Sequence, residues 1–311
     1  MRLTRAFVAV WPLASLVALA VGLPTPSTAA VARPYVLVLG IAQDGGVPQA
    51  GCRKRCCTSG RHEEVSSLAL VDPATRRWWL FDATPDFASQ LARVAAEAPA
   101  CSLSGIFLTH GHIGHYTGLM YLGREAMDAH AVPVWAMPRM REFLTGSGPW
   151  SQLVRLHNIE LQPLAADSLV NVTDSLNVTP FLVPHRGEYS ETVGFRIASD
   201  RGAVVFVPDI DKWERWDRQV EALVAHVNAA YVDGTFFDGA ELPDRDMSEI
   251  PHPFIVESLA RFAALTAAER TRIRFIHLNH TNRAGIAGTA ERKRVEAAGC
   301  HVAHAGERSP I

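Results

Sequence analysis

The sequence predicts an α/β protein with one folded domain, in which two strand-rich halves are each flanked by helices. Three observations predict it. Short apolar, β-branched runs alternate with stretches of helical period. The strands come in groups, and the break near residues 165–175 reads as internal to one domain. Residues able to bind metal follow directly on the ends of several strands, where a rigid sheet can hold them.

In chain order, Tyr35 to Leu39 is a buried strand, followed by a loop from Gly40 to Gly51 rich in Gly, Gln and Pro. Ser67 to Val71 and Trp78 to Phe81 pair across the turn Asp72-Pro73-Ala74-Thr75. Phe87 to Ala98 is a helix stopped by Pro99. Gly105 to Thr109 is a strand, Thr117 to Met127 a helix and Val132 to Ala136 a strand. Helices over Pro138–Leu144 and Trp150–Leu156 flank Gly146-Ser147-Gly148. Leu176–Val183, Thr192–Ala198 and Ala203–Val207 are successive strands. Asp217–Val227 and Pro253–Phe262 read as helices, with the strand Ala230–Asp233 between them. The strand Arg274–Leu278 and the helix Ala290–Ala298 close the pattern.

The 311 residues are 48% hydrophobic and 20% charged, ordinary for a globular chain, with a formal net charge of -2. There is no basic block; Arg139, Arg141 and Arg155 are scattered, so no nucleic-acid partner is expected. The first 32 residues read as an export signal. Arg2 and Arg5 precede an apolar run from Ala6 to Leu23, and Ala30-Val31-Ala32 gives an A-x-A cleavage site before Arg33. The expected mature domain is therefore 33–311, periplasmic or secreted, with no membrane span of its own. An uncleaved anchor is the alternative.

Thirteen histidines are present, and three fall in Thr109-His110-Gly111-His112-Ile113-Gly114-His115. Residues i and i+2 of an extended segment point to one side, so His110 and His112 can chelate one ion. His115, at the mouth of the next helix, can face the same space. Catalytic zinc typically takes three protein ligands and an open position. Further ligand-capable residues follow later strands: His185 in Pro184-His185-Arg186, Asp209 after Pro208, and His277-Leu278-Asn279-His280.

This layout resembles the metallo-β-lactamase superfamily, whose signature H-x-H-x-D-H is followed by a lone His, a lone Asp and a final His. Gly40 to Gln49, the cysteines after it and His115-Tyr116-Thr117-Gly118-Leu119 look like its PQQ biosynthesis protein B group. The resemblance implies an αββα sandwich with zinc between two sheets. It implies that His110, His112 and His185 hold a first metal, that Asp209 bridges, and that His115 and His280 hold a second. Asp82 resembles the family's structural aspartate. Gly114 stands where the signature has Asp, which weakens the second site and leaves one or two ions open; another carboxylate can fill in. On this reading Asp209 orients the attacking water, and His115, if not a ligand, donates a proton.

Five cysteines lie beyond the leader, and Cys52, Cys56 and Cys57 crowd into one loop. Two readings stand even: disulfides, for example to Cys101 or Cys300, or a structural zinc. The latter resembles the related cyclic phosphodiesterases, with His252 as the fourth ligand. The function expected is an exported zinc hydrolase acting on a small phosphodiester, ester, lactone or amide. The alternative is a degenerate, non-catalytic metal or small-molecule binder. Gly114→Asp separates them, with an expected gain of metal and activity in a weakened hydrolase.

Overall fold

The computed structural model describes residues 33–311, so the expected leader lies outside the described residues. Among the described residues, fourteen strands form two seven-stranded sheets. The first contains β1 (Tyr35–Gly40), β2 (Ser67–Asp72), β3 (Arg77–Phe81), β4 (Ser102–Phe107), β5 (Val132–Ala136), β6 (Ile159–Pro163) and, last in the chain, β14 (Arg308–Pro310). Their order is β14-β1-β2-β3-β4-β5-β6. The second holds β7 (Val170–Asn171), β8 (Asn177–Leu182), β9 (Val193–Ala198), β10 (Ala203–Val207), β11 (Ala229–Asp233), β12 (Ile273–Ile276) and β13 (His301–Val302). Its order is β13-β12-β11-β10-β9-β8-β7. Each sheet is antiparallel on one side and parallel on the other: β3 to β6 run parallel in the first, β10 to β13 in the second.

Side-chain alternation along the strands builds two apolar layers. In β1, Val36 and Val38 join the core shared with the second sheet, and Leu37 and Leu39 point to the other face. That outer face is covered by the helices Phe87–Glu97, Pro138–Gly146 and Trp150–Arg155 through Phe87, Val94, Met140, Leu144 and Leu153. The helices Val220–Ala225, Ile255–Phe262 and Ala290–Ala297 pack on the second sheet through Val224, Phe262 and Val295. The architecture is an αββα sandwich. Between the sheets Phe107 stacks on Trp135 at 4.5 Å and meets Phe195 edge-on at 5.8 Å. No helix among the described residues is long and apolar enough to cross a membrane.

The expected helix over Thr117–Met127 is instead one α-turn, Ile113–Tyr116, followed by a 3-10 turn, Thr117–Leu122. Gly118 donates its N–H to Ala83 O at 2.9 Å, so it is not available to the helical ladder.

Candidate metal centre

Every element that reaches the centre does so at the end of a strand, on one edge of the sandwich. β4 runs into His110, His112 and His115, and β8 leads to His185. β10 leads to Asp209, β11 ends in Asp233, and β12 precedes His277. β1 leads into the loop that carries Asp44.

The first group is His110, His112, His185 and Asp209, with donor atoms all within 4.8 Å of one another. His110 Nε2 is 2.9 Å from His112 Nδ1, which is 3.3 Å from His185 Nε2. Asp209 Oδ2 is 3.3 Å from both His110 Nε2 and His185 Nε2. Ligands about 2.0–2.1 Å from a tetrahedral zinc stand about 3.4 Å apart, so these spacings match. The outward nitrogens are held as metal-binding histidines require. His110 Nδ1 meets Thr109 Oγ1 at 2.9 Å, His112 Nε2 meets Glu188 at 3.0 Å, and His185 Nδ1 meets Asp211 at 3.1 Å.

The second group is Asp44, His115 and His277. Asp82, fully buried with φ of +66°, accepts from Thr109 N and Thr109 Oγ1 and holds His115 Nδ1 at 2.7 Å. His277 Nδ1 meets Thr235 Oγ1 at 3.0 Å. The two rings therefore turn Nε2 into the site, where both atoms are buried without a hydrogen-bond partner, as is Asp44 Oδ1. Such converging orphans are costly in a protein interior unless something joins them. Asp44 Oδ1 stands 3.4 Å from His115 Nε2, again near a tetrahedral edge.

Asp44 occupies the space opened by Gly114. A Cβ on Gly114 would lie 2.2 Å from Asp44 Oδ1 and 2.6 Å from Asp44 Cα. The carboxylate missing from the histidine motif thus arrives from the loop after β1. This corrects the expectation for Gly114→Asp, since a side chain there displaces Asp44 instead of completing the site.

Burial opposes charge throughout, and the carboxylates overcome it selectively. Burial works against the His115 cation, but Asp82 and Asp44 on its two sides raise its pKa to about 10. Burial and the charge on His115 push His110 well below the usual histidine range. Burial works against the His252 cation too, but Asp233 and Asp209 raise it to about 9. Burial raises Asp209, yet the facing His252, His185 and His277 hold it well below the usual carboxylate range.

Two sequence assignments exchange places. His252 was expected beside the cysteines. Its Nδ1 instead stands 2.9 Å from Asp233 Oδ2 and 3.2 Å from Asp209 Oδ1, on the wall of the centre. His280 was expected at the second metal, but its donor atom joins those of Cys52, Cys56 and Cys57. β12 ends at Ile276 and His277 takes a left-handed φ of +62°, which directs its own ring inward. His280, three residues on, faces the cysteine loop, its Nδ1 against Asn279 Oδ1 at 2.9 Å. All five cysteines are free, so the disulfide alternative is not formed. Cys56 Sγ and Cys57 Sγ are 3.9 Å apart, close to the roughly 3.8 Å edge of a tetrahedral thiolate zinc site. Gln49 N donates to Cys57 Sγ at 3.3 Å.

Asp44 and Asp233 were not expected in the centre, and within His277-Leu278-Asn279-His280 the ligand is His277 in place of the expected His280. Asp44 lies in the loop of residues 40–49, which carries the resemblance but has no ligand spacing of its own to mark the carboxylate. Asp233 ends one parallel strand and His277 directly follows the next, and the rule that sites gather at such ends would have found them.

A cleft of about 800 Å³ opens beside the centre, lined by Asp44, His252, Ile113 and Phe236 and by the cations Lys54, Arg186 and Arg245.

Fold and site together define a protein of the metallo-β-lactamase class. The model of the Beta-lactamase superfamily domain matches residues 77–280, and this chain belongs to that superfamily. Within it the chain is PqqB-like. It is 29% identical over 301 residues to Coenzyme PQQ synthesis protein B of Ruegeria pomeroyi, covering 87% of this chain and 98% of the relative. It is 27% identical over 307 residues to the protein of that name from Methylorubrum extorquens, covering 88% and 98%. Among solved structures, Zn(2+)-bound PqqB from Methylobacterium extorquens superposes with a TM-score of 0.75 at 25% identity, over 89% of this chain and 100% of that one. A diphosphatase from the PhnP family, at 20% identity and a TM-score of 0.63 over 90% and 98%, shares the fold.

Proposed function

We propose that the chain is an exported zinc-dependent hydrolase that acts on a small, anionic substrate. The observation that carries this reading is the convergence of buried, otherwise unpartnered donors from Asp44, His115, Asp209 and His277 next to the His110–His112–His185 group. His110, His112, His185 and Asp209 would hold one ion, and Asp44, His115 and His277 a second. Cys52, Cys56, Cys57 and His280 would hold a structural one. The zinc-bound relative is consistent with this assignment. When bound, zinc supplies Lewis-acid polarisation of a carbonyl or phosphoryl oxygen and makes water acidic enough to attack at neutral pH.

The chain's own residues supply the rest. Asp209, buried between the groups with Oδ1 unpartnered, would accept a hydrogen bond from the attacking water and orient it. Asp233 orients His252, which stands on the cleft wall to meet the leaving group. Lys54, Arg186 and Arg245 give the cleft three cations for a carboxylate or phosphate on the substrate. The non-catalytic alternative rested on the carboxylate missing at Gly114, and Asp44 supplies one.

The test is the metal content of the purified protein and of His110→Ala, with hydrolysis measured on a phosphodiester, a carboxylate ester, a lactone and a cephalosporin. Zinc in the wild type, loss of an ion in the variant, and chelator-sensitive hydrolysis of the anionic members are expected. Unchanged metal in His110→Ala overturns the assignment. A zinc-loaded protein inert to all four overturns the hydrolase reading. For export, support comes from Arg2, Arg5, the apolar run and Ala30-Val31-Ala32. Fractionation of cells should recover the chain outside the cytoplasm, beginning at Arg33; full-length chain retained inside overturns export.

A further inference from the structure

The cysteine cluster and the second metal position share the same two chain segments. The loop after β1 carries Asp44 at one end and Cys52, Cys56 and Cys57 at the other. The segment after β12 carries His277 and, three residues on, His280. The two segments are also bonded to each other. Leu278 N donates to Ile41 O at 2.8 Å and Gln43 N to Leu278 O at 2.9 Å, on either side of a bridge between Ala42 and Leu278. Within the loop, Gly46 N donates to Gln43 O at 2.8 Å, closing a turn around Asp44. Gln49, whose N–H donates to Cys57 Sγ, lays its side chain against Gly45, 3.1 Å from where a Cβ would stand.

We propose that Asp44 is the carboxylate ligand of the second metal position and that the Cys52–Cys56–Cys57–His280 cluster, when it holds metal, fixes Asp44 in place, so that emptying the cysteine cluster also empties that position. The inference rests on the reading above that the histidine groups bind metal. The reasoning is one of preorganisation. Asp44 sits on an irregular loop with a glycine on its C-terminal side, and its carboxylate has no hydrogen bond from Oδ1 to hold it. A ligand on such a loop is ordered by whatever anchors the loop. On its N-terminal side the anchor is the pairing with Leu278. On its C-terminal side Val47 pairs with Glu63 at 2.9 and 2.8 Å, and beyond that pairing the thiolate cluster holds Gln49, whose side chain lies against Gly45 beside Asp44. Closing that cluster also pins His280, three residues from His277. The first position draws none of its ligands from these two segments, so it stands apart from the coupling.

The chain should be stripped and reloaded with Co2+, which reports each position separately. Thiolate-bound cobalt gives an intense near-ultraviolet charge-transfer band, and all bound cobalt is counted by elemental analysis. Wild type is expected to bind three ions per chain. Asp44→Asn should bind two and keep the thiolate band. Cys57→Ser should lose the band and bind one. Two ions in Cys57→Ser would overturn the coupling, and three in Asp44→Asn would overturn the ligand assignment. No cobalt outside the thiolate band in wild type would instead overturn the underlying metal reading. To guard against a misfolded Cys57→Ser, native zinc-loaded protein is titrated with an organomercurial while a colorimetric chelator records release and circular dichroism records the fold. Two zinc equivalents freed with the fold intact are expected; one equivalent overturns the coupling.

Discussion

Asp82 and Gly114 show how single residues set the chemistry. Asp82 holds a left-handed backbone angle that a non-glycine residue adopts at a cost of order 1–3 kcal/mol, and its side-chain bonds all go to Thr109 and His115. Gly114 works by absence, leaving room for Asp44. Gly114→Ala is therefore expected to push the Asp44 loop outward and to lower bound metal by one ion per chain, read by elemental analysis of folded protein. Unchanged stoichiometry would mean that Asp44 is not a ligand. The histidines of the motif were legible because their spacing of two and three residues is itself the geometry of chelation. Asp44 was not legible, because 66 residues separate it from His110 and only the packing of β1 against the rest brings them together. His252 and His280 were exchanged for a related reason. Sequence order places His252 before a helix and His280 after a strand, whereas the left-handed turn at His277 decides which ring faces the centre.

At the scale of elements, the long strands and helices were legible from their period, and the short ones were not. β7 and β13 have two residues each and β14 three, too few to carry an alternation. They exist because the sheet edges beside them offer unpaired backbone groups. The loop after β11 carries a titrating element of its own. Glu241 accepts from Phe237 N at 2.7 Å and from Thr281 Oγ1, tying this loop to the segment that bears His277 and His280. Burial pushes its pKa from the ordinary 4.5 up to about 7. A carboxyl whose folded pKa is raised binds its proton more tightly when folded, so stability is greatest below pH 4.5 and falls as pH rises through 7. The difference amounts to about 3 kcal/mol at most. Glu241→Gln is expected to flatten the fall in urea-unfolding free energy between pH 5 and pH 8. An equally steep fall in the variant would place the titrating group elsewhere.

Across the whole molecule, the centre joins the two sheets. His110, His112, His115 and Asp44 leave strands of the first sheet; His185, Asp209, Asp233 and His277 leave strands of the second. Ions held there would cross-link the halves of the sandwich at one edge, while elsewhere apolar packing is joined by hydrogen bonds between the sheets, such as Arg77 to Val172 O and Asn228 to Pro310 O. Their contribution to stability follows from mass action, because a ligand that binds only the folded state stabilises by RT ln(1 + [L]/Kd). At free zinc a hundred to a thousand times Kd that is about 3–4 kcal/mol per site. For a domain of this size each kcal/mol moves the midpoint by about 2–4 °C. Removal of metal with a strong chelator is thus expected to lower Tm by roughly 6–16 °C for each position emptied. His110→Ala, already without the first ion, should fall by correspondingly less on chelation. The measurement is differential scanning calorimetry of wild type and variant, with and without chelator. If wild type keeps its Tm after metal loss is verified, the halves are held together without the ions and the histidine edge carries no load in the fold.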